Sequence, residues 1–185
     1  MNHRNNRRSE ATKNKIKQTL IEMLHTQDLD KVTVQALCEK AAINRSTFYN
    51  HYESPIAVLN TIEFDFTAKL KEYLTNENCL DFNTDNLIPI LSKTLEFLQS
   101  NKNICFLLKT PSSTTAFKQN VYREIFKTSL MNHSIFQKYS EEHLQYAQAF
   151  ILYGCGHTID LWLNRDCEES PQEIAKLLAA FISRL

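Results

Sequence analysis

Apolar residues recur along this chain three and four positions apart, the spacing that gathers side chains on one face of an α-helix. From Ser9 the pattern is regular. Ile16, Leu20, Met23 and Leu24 share a face, with Ser9 or Thr12 as the cap and "TQDLD" as the end. Thr33 caps a second helix that turns Val34, Leu37, Cys38 and Ala41 inward. After a break at Ala42-Ile43-Asn44, a third helix of about two turns runs to His51 or Tyr52, with Asn44 as its N-cap through the side-chain oxygen. Ser54-Pro55 is a cap-plus-proline start for a fourth helix, which carries Val58, Leu59, Ile62, Phe66, Leu70 and Leu74.

The stretch "TNENCLDFNTDN", residues 75–86, interrupts the pattern and marks the expected domain boundary. Beyond it, residues 87–98 are apolar at helical spacing, "SNKN" interrupts, and 104–108 follow. After the loop "KTPSS", residues 114–131 form an amphipathic helix through Phe117, Val121, Ile125, Phe126 and Leu130. The most apolar helices come last, at 141–164 and at 172–184, the latter opened by "ESPQE".

Composition agrees with an all-α chain. Two glycines and four prolines in 185 residues are too few for the turns of a β-rich protein. They also exclude a P-loop, a G-x-G-x-x-G loop and a G-x-S-x-G elbow, so an all-α enzyme has no motif behind it. Paired carboxylates such as Glu141-Glu142 read as helix-end surface charge.

The net charge is zero but unevenly spread. Residues 1–20 hold six basic side chains against Glu10, a net of +5, so the rest of the chain sums to −5. A basic arm on a neutral body is either a solvated tail or a local contact to a polyanion. Five cysteines, an odd number without C-x-x-C, and no apolar leader suggest a reduced, cytoplasmic protein. Six scattered histidines suggest no metal site, and no cofactor is expected. Cys155 has only His157 as a cationic neighbour, so a role in sensing oxidants has little support.

Two short helices around a three-residue break form a helix-turn-helix pattern. Leu37, Ile43 and Phe48 pack between the helices, and the outer face of the second is free to enter a DNA major groove. Helix N-termini attract phosphate, which places Thr33 and Asn44 at the backbone. Arg45, Ser46, Thr47, Tyr49 and Asn50 can reach base edges or phosphates, since Arg favours guanine and Asn adenine. Tyr49, His51 and Tyr52 are better suited to phosphates, which set register. The bland alternative is an amphipathic helix pair in an ordinary core.

Residues 33–59, "TVQALCEKAAINRSTFYNHYESPIAVL", resemble the DNA-binding segment of the TetR family of bacterial transcription regulators. The resemblance implies double-stranded operator DNA as partner. It places Thr33, Val34, Asn44, Arg45, Ser46, Thr47, Tyr49, Asn50, His51 and Tyr52 where family members touch it. Three positions depart from the family pattern. Ala42 replaces a turn glycine, at a cost of roughly 1 kcal/mol if the turn is left-handed. Cys38 replaces a small alanine and is read as packing. Pro55 replaces a phosphate-binding lysine, whose charge the basic arm would supply.

The carboxy-terminal "YGCGHTIDLWLNRDCEESPQEIAKLL" is similar to the last two helices of a branch that includes activators of dihydroxyacetone-kinase operons. Both glycines of the chain fall inside the 141–164 helix, where each costs about 1 kcal/mol unless another backbone must approach. A two-fold homodimer of the last two helices follows, with Phe150, Gly154, Gly156, His157, Leu161, Ile174, Leu178 and Phe181 at the contact. It would set two recognition helices ~34 Å apart, one DNA turn. Phe66, Phe97, Phe106, Phe117, Tyr122 and Phe150 are mostly core, and a subset would line a cavity for a small-molecule effector. The expected architecture is an amino-terminal three-helix helix-turn-helix DNA-binding domain, residues 1–53, and a helical-bundle ligand-binding and dimerisation domain, residues 75–185. Helix four, residues 55–74, links them. Repression is the default sign in this family. The rival readings are an activator, or a co-regulator with a protein partner and reduced DNA binding.

Overall fold

The computed structural model describes residues 3–75, 87–109, 115–129 and 134–184, and among these there is no strand. The chain separates into two compact units, the first ending at Phe66 and the second beginning at Thr67. Residues 76–86 of the expected boundary, the "KTPSS" loop beyond Lys109, Cys79, Leu130 and His133 lie outside the described residues.

The first unit contains α1 (His3–Leu24), a 3-10 turn (Leu29–Lys31), α2 (Val34–Lys40), α3 (Arg45–Tyr49) and the first half of α4 (Pro55–Thr75). Ile16, Leu20, Leu37, Phe48 and Leu59 are fully buried, which joins the apolar stripes of α1 to α4 in one core. Lys17 pairs with Asp65 at 2.9 Å and ties α1 to α4 at the surface.

Neither Ser9 nor Thr12 caps α1. The helix begins at His3, and the Thr12 hydroxyl donates to the Arg8 carbonyl within it. The basic arm is thus a helical extension of α1, with Arg7 and Arg8 exposed. Nothing there breaks a helix, because neither glycine nor proline occurs before Pro55. Other caps follow expectation: Thr33 Oγ1 accepts from the Ala36 N–H at 3.1 Å, and Ser54 Oγ from Ala57 at 3.3 Å. Asn44 is the exception. It occupies the N-cap of α3 in extended conformation, but its side chain makes no capping bond.

The second unit holds the rest of α4, then α5 (Ile88–Ser100), α6 (Lys102–Cys105), a 3-10 turn (Phe106–Lys109), α7 (Thr115–Ser129), a second such turn (Ser134–Lys138), α8 (Glu141–Asn164) and α9 (Pro171–Ile182). The turn at 134–138 has no counterpart in the periodic reading. It is held by burial of Ile135 and Phe136, whose spacing is too short to show a period. α9 packs mainly along α5, and Leu91 and Leu95 of α5 and Ala175 and Leu178 of α9 are buried. Trp162 is buried and donates its indole N–H to the Glu169 carbonyl at 2.8 Å, fixing the turn between α8 and α9.

Candidate nucleic-acid interface

Thr33 starts α2, and the backbone then turns through Ala42 with φ 47°, a left-handed conformation. Ala42 N–H donates to the Glu39 carbonyl, and Ile43 N–H reaches the Cys38 carbonyl at 3.0 Å. The turn therefore needs the conformation that glycine adopts freely, and Ala42 carries its cost. Cys38 is buried between α2 and α3 as packing. Burial pushes its thiol above the ordinary value, a shift that the nearby Arg45 charge partly opposes.

On α3 and the turn after it, side chains separate by period. Phe48 is buried, while Arg45, Ser46, Tyr49 and Asn50 are exposed. Thr47 and His51 are half-buried, as is Val34 on α2; Thr33 and Asn44 are exposed. Arg45 Nη2 donates to Gln35 Oε1 at 2.6 Å. The structure thus gathers Thr33, Asn44, Arg45, Ser46, Tyr49 and Asn50 on the solvent side of one helix-turn-helix.

Tyr52 corrects the outward reading of residues 45–52. It stands four residues after Phe48 and so points inward beside it, with ring centroids 6.2 Å apart and only 8% of its surface exposed. Its hydroxyl is buried without a hydrogen-bond partner among the described residues. Burial, then the charges of Asp65 and Glu10, hold its pKa above the ordinary tyrosine value.

The residues assigned to a subunit contact divide in two. Phe150, Gly154, His157, Leu161 and Phe181 are exposed, whereas Gly156, Ile174 and Leu178 are buried within the chain. Tyr146, Tyr153 and Leu177 are also exposed and extend this face. Tyr146 and Tyr153 sit four before and three after Phe150, a period that sequence reading could have followed. An open apolar groove of about 330 Å³ lies between α8 and α9, bordered by Phe150, Gly154, Cys155, Thr158, Leu178 and Phe181 among others. Burial pushes the Cys155 thiol up to about 11, which leaves it mostly protonated and unreactive at neutral pH.

Gly156 has a reason inside the chain. A Cβ there would lie 2.8 Å from the Tyr122 ring, so the glycine admits an aromatic ring of α7, not a second backbone. Around Gly154, among the described residues, nothing beyond its own stretch of helix lies within 4 Å of an added Cβ. Tyr122 also donates its hydroxyl to buried Asp160, whose other oxygen meets Lys118 Nζ at 2.5 Å. Burial and this hydrogen bond raise the Tyr122 pKa far above its ordinary value. Sequence reading missed this cluster, because a separation of 38 residues carries no local signal.

Of the aromatic residues considered for a ligand cavity, Phe66, Phe97, Phe117 and Tyr122 are buried and Phe106 is half-buried. Phe150 is 65% exposed and belongs to the α8 surface instead of the core, because its helical period aligns it with Tyr146 and Tyr153. Among the described residues no group of three or more His, Cys, Asp or Glu could hold a metal, and no helix is long and apolar enough to cross a membrane.

Residues 85–184 match a TetR-type family described as a transcriptional regulator C-terminal region. Over 183 residues the chain is 21% identical to a Bacillus subtilis (strain 168) HTH-type transcriptional regulator, YxbF, covering 95% of this chain and 46% of that protein. The chain thus spans about half the length of the curated relative it matches. Among solved structures it is similar to a TetR transcriptional regulator from Streptococcus agalactiae 2603V, with TM-score 0.69 and 22% identity over 96% of this chain and 97% of that one. It is also similar to the dihydroxyacetone kinase operon activator DhaS, with TM-score 0.59 and 14% identity over 94% of each. The fatty acid degradation regulator FadR from Bacillus halodurans has TM-score 0.59 and 14% identity, over 92% and 94%. At these identities the solved structures establish the fold.

Proposed function

We infer the action of this protein from one premise: the chain belongs to the TetR family of transcriptional regulators. It is a DNA-binding, all-α regulator. In our reading, residues 1–53 bind operator DNA, α4 is the link, and residues 75–185 form the dimerisation and effector domain. The reading treats the protein as a cytoplasmic homodimeric repressor with no catalytic step.

One observation carries the DNA-contact assignment. Arg45, Ser46, Tyr49 and Asn50 stand exposed on the α3 segment while Phe48 anchors the same segment in the core. A helix so divided offers donors, acceptors and an aromatic ring outward without loss of packing. Arg45 and Asn50 suit base edges; Thr33, Asn44, Ser46, Thr47, Tyr49 and His51 suit phosphates and register. Tyr52 supports the fold of this surface from beneath and leaves the contact set.

Exposed Phe150, Leu161 and Phe181 support a homodimer through α8 and α9. A small-molecule effector would act by binding one spacing of the two recognition helices better than the other.

A gel-shift titration against the promoter region of the protein's own operon tests the reading. Arg45→Ala and Tyr49→Ala should each weaken binding by about 1–3 kcal/mol, and wild-type affinity should fall steeply with salt. Full affinity in both variants would refute the contact assignment. A reporter under the same promoter reads the sign, and repression requires higher expression when the gene is deleted.

A further inference from the structure

The exposed side of the α2–α3 pair carries a hydrogen-bonded chain that joins Arg45 to two residues outside the contact set above, Gln35 and Glu39. Gln35 and Glu39 lie one turn apart on α2, and Gln35 Nε2 donates to Glu39 Oε1 at 2.9 Å. The other end of the same amide, Gln35 Oε1, accepts from Arg45 Nη2 across the turn at 2.6 Å. All three residues are exposed.

The chemistry of the three groups leaves one arrangement. A carboxylate only accepts, a guanidinium only donates, and an amide has one end of each kind. Glu39 therefore takes the amide nitrogen and Arg45 the amide oxygen, so the side chain of Gln35 cannot turn over without losing both bonds. The bond to Gln35 occupies one of five guanidinium N–H donors, and the remaining fork still fits guanine O6 and N7. Gln35 itself is poorly placed to read adenine, because that pairing needs both ends of an amide already engaged. Glu39 is otherwise unfavourable beside a polyanion, and its bond to Gln35 gives it a purpose on this surface.

We propose that Gln35, held by Glu39, is a positioning residue that orients Arg45 toward a guanine, so base preference at that step of the operator belongs to the Glu39–Gln35–Arg45 chain. The inference rests on the DNA-binding reading above and adds the base pair read and the residue that sets it.

The test is selection from a randomised duplex pool with the full chain as wild type, Arg45→Ala and Gln35→Ala, with helical content of each checked by circular dichroism. Wild type should enrich guanine at one position of each half-site, and Arg45→Ala should erase that preference. Gln35→Ala should reduce it by about tenfold while leaving the salt dependence of binding unchanged, because no phosphate contact is removed. An intact guanine preference in Gln35→Ala overturns the proposal. So does loss of an adenine preference elsewhere in the site, which would make Gln35 a direct reader. Wild type that binds duplex without enriching guanine also overturns it and leaves the DNA-binding reading standing. A wild type indifferent to duplex removes both.

Discussion

Single residues here carry costs that their neighbours explain. Ala42 holds a left-handed φ of 47° at an exposed turn position, so its methyl strains the backbone. Ala42→Gly should raise the free energy of unfolding by about 1 kcal/mol, read as a higher urea midpoint at unchanged slope. Gly156 is the opposite case. Its missing Cβ makes room for the Tyr122 ring, which Asp160 fixes at the hydroxyl and which cannot swing away freely. Gly156→Ala gains about 1 kcal/mol of helix propensity but overpacks a buried ring at a cost of roughly 1–3 kcal/mol. Chemical denaturation should show a net loss, and a stabilised variant would mean that Tyr122 does not sit there.

At the scale of elements, α9 shows how a sequence signal becomes an energetic one. Ser170 and Glu173 form a reciprocal capping box: Ser170 Oγ accepts from the Glu173 N–H at 3.3 Å, and the Glu173 carboxylate accepts from the Ser170 N–H at 2.8 Å. Pro171 follows at the first helical position, where its fixed φ suits the helix. Ser170→Ala should cost about 1 kcal/mol by thermal unfolding. The bonds from the Ser170 hydroxyl and then its backbone hold the Glu173 pKa below its ordinary 4.5. A depressed carboxylate pKa stabilises the fold above the unfolded value, and that contribution is lost as pH falls through the folded value. The stability gap between wild type and Glu173→Gln should therefore be full at pH 7 and close below about pH 4.5. A gap that persists unchanged into acid would show that the carboxylate charge has no part in the cap.

For the whole molecule, the unexplained surface is the α8–α9 face. Phe150 is 65% exposed and Phe181 52%, and a lone chain gains nothing by presenting such rings to water. If this face joins two subunits, the wild type should sediment as a dimer with a concentration-dependent melting temperature, and Phe150→Glu combined with Phe181→Glu should abolish both. Gly154 separates the two explanations of a helix-interior glycine. With no described residue outside its own helix within 4 Å of an added Cβ, Gly154→Ala should stabilise a monomer by about 1 kcal/mol. If a second subunit's backbone lies against it, the same change weakens association, which sedimentation equilibrium would read directly.

The order of the longer helices was legible in the sequence, because helical period and the near absence of glycine are local properties of the chain. α8 runs from Glu141 to Asn164 as its apolar spacing predicts, and the family resemblance rested on residues close together in sequence. What tertiary structure decided was direction and distance. Tyr52 was packed inward beside Phe48, Gly156 answered to a ring 34 residues away, and Arg45 acquired a partner across the α2–α3 turn. These facts depend on which faces meet after packing, and the spacing of residues along the chain does not contain them.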